Sequence, residues 1–147
     1  MKLSNNLSLE EVIKSNTATR RGIDNEPIIE HRLNLITLAN LVFQPIRDHF
    51  KAPIFISSGY RSLALNKAIG GSVTSQHSKG QAIDIDNDAV KSPTNMEIFN
   101  YIKDNLIFDQ LIFEFPNKKG EPSWVHVSYI DQDNGGKLNR MEILVAK

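Results

Sequence analysis

The 147-residue chain contains no cysteine. This excludes disulfide staples, thiolate metal sites and a thiol nucleophile together, and it leaves the redox compartment open. Charge of one sign is not in excess either, since 17 Lys and Arg balance 17 Asp and Glu. No long-range field therefore draws the protein to nucleic acid or anionic lipid. With no basic stripe interleaved with aromatics, a metal-dependent nuclease is disfavoured and no nucleic-acid partner is expected. Long apolar runs are also missing. Nothing approaches the roughly 20 residues of a membrane span, so no membrane insertion is expected. The opening Met1-Lys-Leu-Ser-Asn-Asn has no apolar stretch of leader length, so the expectation is synthesis in the cytoplasm without a signal peptide. There is no internal repeat and no low-complexity tract.

What is present suits one globular domain over 1–147, expected as a monomer, because 40% of the residues are apolar and a chain of this length can bury a real core. Residues 1–26 are expected as a helix and loop packed on the rest. Ser8-Leu-Glu-Glu11 has capping-box spacing and opens a short helix through about Ser15. Asn16 to Glu26 is polar and turn-rich, which predicts an ordered loop. From Pro27 toward Phe50, Ile28, Ile29, Leu33, Ile36, Leu38, Leu41, Val42 and Ile46 recur at helical spacing and predict the main core helix. Pro45 should kink it or split off its last turn. Pro53 to Ser58 predicts a strand, and Ser62 to Ala68 a helix ended by Gly70-Gly71. Ala82-Ile-Asp-Ile-Asp86 alternates strictly, as a strand does, and Thr94 to Asn105 has helical spacing. Asp109 to Phe115, Ser123 to Ile130 and Arg140 to Ala146 predict three more strands, the first two joined by a hairpin loop at Lys118-Lys-Gly120. The order predicts an α+β domain, with helices packed on a small, mostly antiparallel sheet.

Strand side chains alternate between faces. Ile83 and Ile85 then oppose Ala82, Asp84 and Asp86; Leu111, Phe113 and Phe115 oppose Gln110, Ile112 and Glu114; Val125, Val127 and Tyr129 oppose Trp124, His126 and Ser128. One sheet face would thus gather an aspartate, a glutamate and a histidine, with His77 reaching it from the preceding loop. Two imidazoles and one carboxylate form the ligand set of a catalytic zinc, which leaves a fourth position for water. Bound zinc lowers the pKa of that water toward roughly 7 and polarises a substrate carbonyl. Asp86 and Asp88 extend the carboxylate pattern, but histidine ligands argue against a hard, oxygen-preferring cation. His31 and His49 lie on the main helix and are expected to be structural.

Ser75-Gln-His77-Ser-Lys-Gly80-Gln-Ala82-Ile-Asp84 matches an S-x-H-x-x-G-x-A-x-D signature, Trp124-Val-His126 a W-x-H segment, and Ser58-Gly-Tyr-Arg61-Ser62 an S-G-Y-R-S stretch. In this order and spacing the chain resembles the peptidase M15 family, the D-alanyl-D-alanine carboxypeptidase and VanX-like zinc peptidases, and most of all its small single-domain phage and bacterial members. The resemblance spans roughly Pro27 to Ile130. It implies a Hedgehog/DD-peptidase-like fold whose sheet carries the metal, with His77, Asp84 and His126 as zinc ligands. It also implies that Arg61 faces either the developing oxyanion or a substrate carboxylate, that Ser75 bonds substrate or orients His77, and that Trp124 walls the pocket. Gly80 and Ala82 would be architectural.

The chain departs from the family pattern where many members carry a catalytic acid three residues before the last histidine; here Ser123 stands there. Glu114, on the site face, and Glu121, in the loop before His126, are the candidate bases, with Glu114 favoured because strand pairing fixes its position. The function so implied is zinc-dependent hydrolysis of a peptide bond in peptidoglycan stem peptides, endolysin-like or carboxypeptidase-like, by an enzyme acting on the cell wall and suited to a phage lysis or virion role. The alternative is a non-catalytic zinc module that binds cell-wall peptide or a protein partner.

Overall fold

The computed structural model describes residues 1–131 and 138–147. The chain opens on a two-stranded antiparallel ribbon, β1 (Lys2–Ser4) and β2 (Leu7–Ser8). Helix α1 (Leu9–Ile13) follows, with the expected capping box: Ser8 accepts from the Glu11 amide, and the Glu11 carboxylate accepts from the Ser8 amide. The stretch expected as a loop from Asn16 instead forms α2 (Asn16–Arg21), capped by Ser15 and closed by Gly22 at φ 64°. Its only buried residue is Ala18. A helix held by its caps rather than by an apolar stripe leaves no hydrophobic period to read.

Helix α3 (Ile29–Leu38) starts two residues after Pro27 and passes through a wider π turn, Ala39–Phe43, into α4 (Gln44–Phe50). The Gln44 amide bonds back five residues to the Ala39 carbonyl. That wider turn makes room for the Pro45 ring, which in a regular helix would clash with the carbonyl of Leu41. The buried face runs through Leu35, Leu38, Ala39, Val42, Phe43 and Ile46. Ile28, Ile29, Leu33 and Leu41, expected on that face, are exposed. The helical period was right, but the helix is rotated toward Leu35 and Phe43.

Strands β3 (Ile56–Ser58), β4 (Ala82–Ile85), β5 (Gln110–Pro116), β6 (Pro122–Ser128) and β7 (Glu142–Ala146) form one sheet in the order β3-β4-β6-β5-β7. All neighbours are antiparallel except β7, which runs parallel to β5. Helix α5 (Leu63–Ala68) follows β3, capped by Ser62. Helix α6 (Asn95–Asn105) carries a second capping box, Thr94 with Glu97. Ile83, Ile85, Leu111, Val125 and Val127 lie on one sheet face, fully buried against the helices, in a cluster that also takes in Leu3, Leu7 and Val12 from the N-terminal segment. The face sorting held except at Phe115. Its φ of 46° breaks the alternation, and the ring sits exposed, 5.2 Å from Trp124. Among the described residues no helix is long and apolar enough to cross a membrane.

A buried carboxylate ties the end of the chain to this frame. Asp109, just before β5, has no exposed side-chain surface. It receives Arg140 Nε at 2.9 Å, Arg140 Nη2 at 2.7 Å, the Arg140 amide at 3.1 Å and Gln76 Nε2 at 2.8 Å. Burial alone would raise its pKa, but the hydrogen bonds from Arg140 and Gln76 win and lower it. Asp109→Asn should therefore cost about 2 kcal/mol of stability near pH 7, the scale of a lost hydrogen-bonded charge. A lowered carboxylate pKa stabilises the fold above the unfolded value of about 4 and loses that contribution as pH falls through the folded value. The gap in Tm between wild type and variant should narrow from pH 6 to pH 3 in thermal melts. A constant gap would rule out the charge as its source.

Candidate metal centre

The site lies on the sheet face opposite the core. Strand pairing sets Asp84 directly across from His126, and Ile112 across from His126 on its other side. His77 comes from a 3-10 turn, Gln76–Lys79, whose first amides are capped by Ser75: its hydroxyl accepts from the His77 amide at 3.3 Å. Gly80 closes that turn at φ 73°, and a Cβ there would stand 2.4 Å from the His31 carbonyl of α3. The bend into β4 thus requires glycine for both conformation and space. His31 bonds the Tyr60 hydroxyl, and His49 stacks on Tyr101, so both histidines serve the scaffold. Asp86 and Asp88 share the Asn95 side-chain amide away from the centre.

One ligand atom from each of His77, Asp84 and His126 lies within 4.8 Å of the others. Asp84 Oδ1 is 3.3 Å from His77 Nε2 and 3.0 Å from His126 Nδ1. Two ligands about 2.0 Å from a tetrahedral ion stand about 3.3 Å apart, so the spacing suits a metal. The protonation pattern suits one as well. His77 Nδ1 is 2.7 Å from the Gly59 carbonyl, which only accepts, so Nδ1 carries a proton and Nε2 is the ring nitrogen turned toward Asp84. Two lone pairs at that distance repel unless a cation, proton or metal, lies between them. Burial alone would raise the Asp84 pKa, but the contacts with His126 and His77 overcome it and hold the carboxyl below its ordinary range.

The centre opens into a groove of about 420 Å³ that is also lined by Arg61, Ser75, Gln110, Glu114 and Trp124. Glu114 pairs with Trp124, one step diagonal to His126 and about 7 Å from it across the sheet. Burial raises its pKa, and the nearby Asp84 charge adds to this against an opposing His126. Arg61 is fixed through its backbone, since its amide donates to the His77 carbonyl at 3.2 Å. Burial lowers its pKa, with Asp84 opposing, and its Nε has no hydrogen-bond partner. The candidate base Glu121 stands apart, in a separate cleft with Asp88, Lys91, Lys118 and Lys119. Ser123 gives its hydroxyl to the Phe115 carbonyl at 2.6 Å. The motif reading missed the Gly59 carbonyl, because a backbone acceptor has no sequence signature beyond the glycine itself.

Two histidines and a carboxylate converge in an open groove with a spacing that could hold a metal ion, and an acid lines the same groove. Residues 5–128 match the family model described as Peptidase M15, and the chain belongs to that family of metal-dependent peptidases. No curated protein sequence matches the chain.

A divalent transition metal at 100 times its Kd should raise the unfolding free energy by about 2.7 kcal/mol. The shift should appear as a higher Tm than in chelator and should vanish in Asp84→Asn. A shift that survives that substitution would place the metal elsewhere.

Proposed function

We propose that this chain is a zinc peptidase that hydrolyses a peptide bond in peptidoglycan stem peptides. The observation that carries the reading is the convergence of His77, Asp84 and His126 with Glu114 in one groove. A donor set of two imidazoles and one carboxylate favours zinc over calcium or magnesium, which prefer all-oxygen shells. Zinc held there would polarise the scissile carbonyl and make a water acidic enough to attack near neutral pH.

The chain's own residues supply the rest. Glu114 acts as general base, taking a proton from the attacking water and handing it to the leaving amine; a carboxylate raised by burial is better matched to that exchange than a solvated one. Arg61, whose Nε has no hydrogen-bond partner among the described residues, presents its guanidinium to the oxyanion or to a substrate carboxylate. Gly59 holds the His77 ring, Ser75 holds its turn, and Trp124 walls the groove. The reading as a non-catalytic binding module was motivated by the missing acid at Ser123. Glu114, lining the groove, offers an acid in its place and so supports the catalytic reading.

Glu114→Gln should lower turnover by 100-fold or more while bound zinc, measured by metal analysis, is unchanged. Wild-type enzyme should release new amine ends from purified cell wall, identified by mass spectrometry. Undiminished activity in the variant would return the base to Glu121, and no new ends from the wild type would favour the binding module.

A further inference from the structure

The segment after residue 128, outside the family match, reaches back to the groove at two points. Arg140 locks Asp109, which in turn holds the side-chain amide of Gln76. Glu142, opposite Gln110 in the parallel pairing of β7 with β5, accepts Gln110 Nε2 at 2.7 Å. A carboxylate only accepts, so this contact settles which way the Gln110 amide points. One N–H of its NH2 end is held by Glu142, which turns that end toward β7. Its carbonyl oxygen, Oε1, has no hydrogen-bond partner among the described residues and is not among their buried unpaired atoms, and Gln110 lines the groove. Gln110, Ile112 and Glu114 share one face of β5, with Glu142, Leu144 and Ala146 beside them on β7. The groove floor therefore carries an oriented acceptor, Gln110, and a carboxylate, Glu114, along β5, with Glu142 beside Gln110 on β7. Arg61 is the cation on the groove wall.

We propose that Gln110 is a specificity-determining residue that accepts a hydrogen bond from a nitrogen donor of the substrate, and that Glu142 is the positioning residue that fixes its amide for this task. The inference rests on the peptidase reading above, and it names the chemistry recognised beside the scissile bond. The donor is a primary ammonium on a substrate side chain or a backbone N–H; both meet Oε1 in the same way. A free Gln110 amide would rotate to offer either end. With Glu142 in place the NH2 end is held toward β7 and Oε1 is the end left for a ligand, so a carbonyl or carboxylate presented to it meets another acceptor and is disfavoured.

The test compares kcat and KM for three synthetic stem peptides: one with a free side-chain amine, one with that amine acetylated, and one with a backbone N–H near the scissile bond replaced by an ester oxygen. Wild type should lose about 5- to 10-fold in kcat/KM, mostly through KM, on one of the two altered peptides, the scale of one hydrogen bond. Loss on acetylation identifies the ammonium, and loss on the ester identifies the backbone N–H. In Gln110→Met the discrimination should fall to near unity. In Glu142→Gln it should weaken, and Glu142→Asp should restore part of it. Equal discrimination in wild type and Gln110→Met overturns the inference. Should stem peptides not be cut at all, the peptidoglycan reading fails, and the same N–H to ester comparison is made on the best substrate from an unbiased peptide library. There, too, a ratio unchanged by Gln110→Met overturns the proposal.

Discussion

The site depends on one cross-strand pairing, Asp84 opposite His126 in the β4–β6 ladder. It places a nearly buried carboxylate against an imidazole at 3.0 Å, where neither could remain without a partner of opposite character. A one-residue slip of β4 against β6 would send Asp84 into the core and bring Ile83 and Ile85 out to the site face. The apolar alternation that builds the core therefore also fixes the metal site. His77 alone reaches the centre from outside the ladder, and it is the ligand with the most scaffolding: the Gly59 carbonyl on its ring, Ser75 on its amide, and Gly80 closing its turn.

The N-terminal segment takes part in the same arrangement. Tyr60 donates its amide to the Val12 carbonyl at 2.7 Å, and Asn25 spans the neighbouring backbone by donating to the Tyr60 carbonyl and accepting from the Ser62 amide. The stretch from Gly59 to Ser62 is therefore pinned from outside the sheet. A Cβ at Gly59 would stand 2.3 Å from the Val12 carbonyl, so close approach of the two backbones is built into the sequence there. Since this stretch supplies both the acceptor for His77 and the guanidinium of Arg61, α1 and the loop containing Asn25 act at a distance on the geometry of the centre.

Much of this was legible from the residues. The strict alternation from Ala82 to Asp86, and again across Leu111 to Glu114 and Val125 to Ser128, sorted the faces, and the sorted faces brought Asp84, His126 and Glu114 together. What could not be read arose where local sequence carries no period or where backbone geometry overrides it. Helix α2 buries only Ala18 and left no apolar stripe. The ribbon of β1 and β2 is too short to alternate. Phe115 follows the strand pattern in sequence, but a positive φ turns its ring onto Trp124. In the long helix the period was present, yet it fitted two overlapping stripes, and packing against the sheet chose the one through Leu35 and Phe43.

The family match ends at residue 128, and the three candidate ligands and Glu114 lie within it, whereas the groups that orient Gln76 and Gln110 arise at 140 and 142. The chemistry and the shape of one groove wall are thus encoded in separate stretches of chain. On the proposed reading, a tail exchanged after residue 128 with the hold on Asp109 retained would reshape that wall while leaving His77, Asp84, His126 and Glu114 where they are.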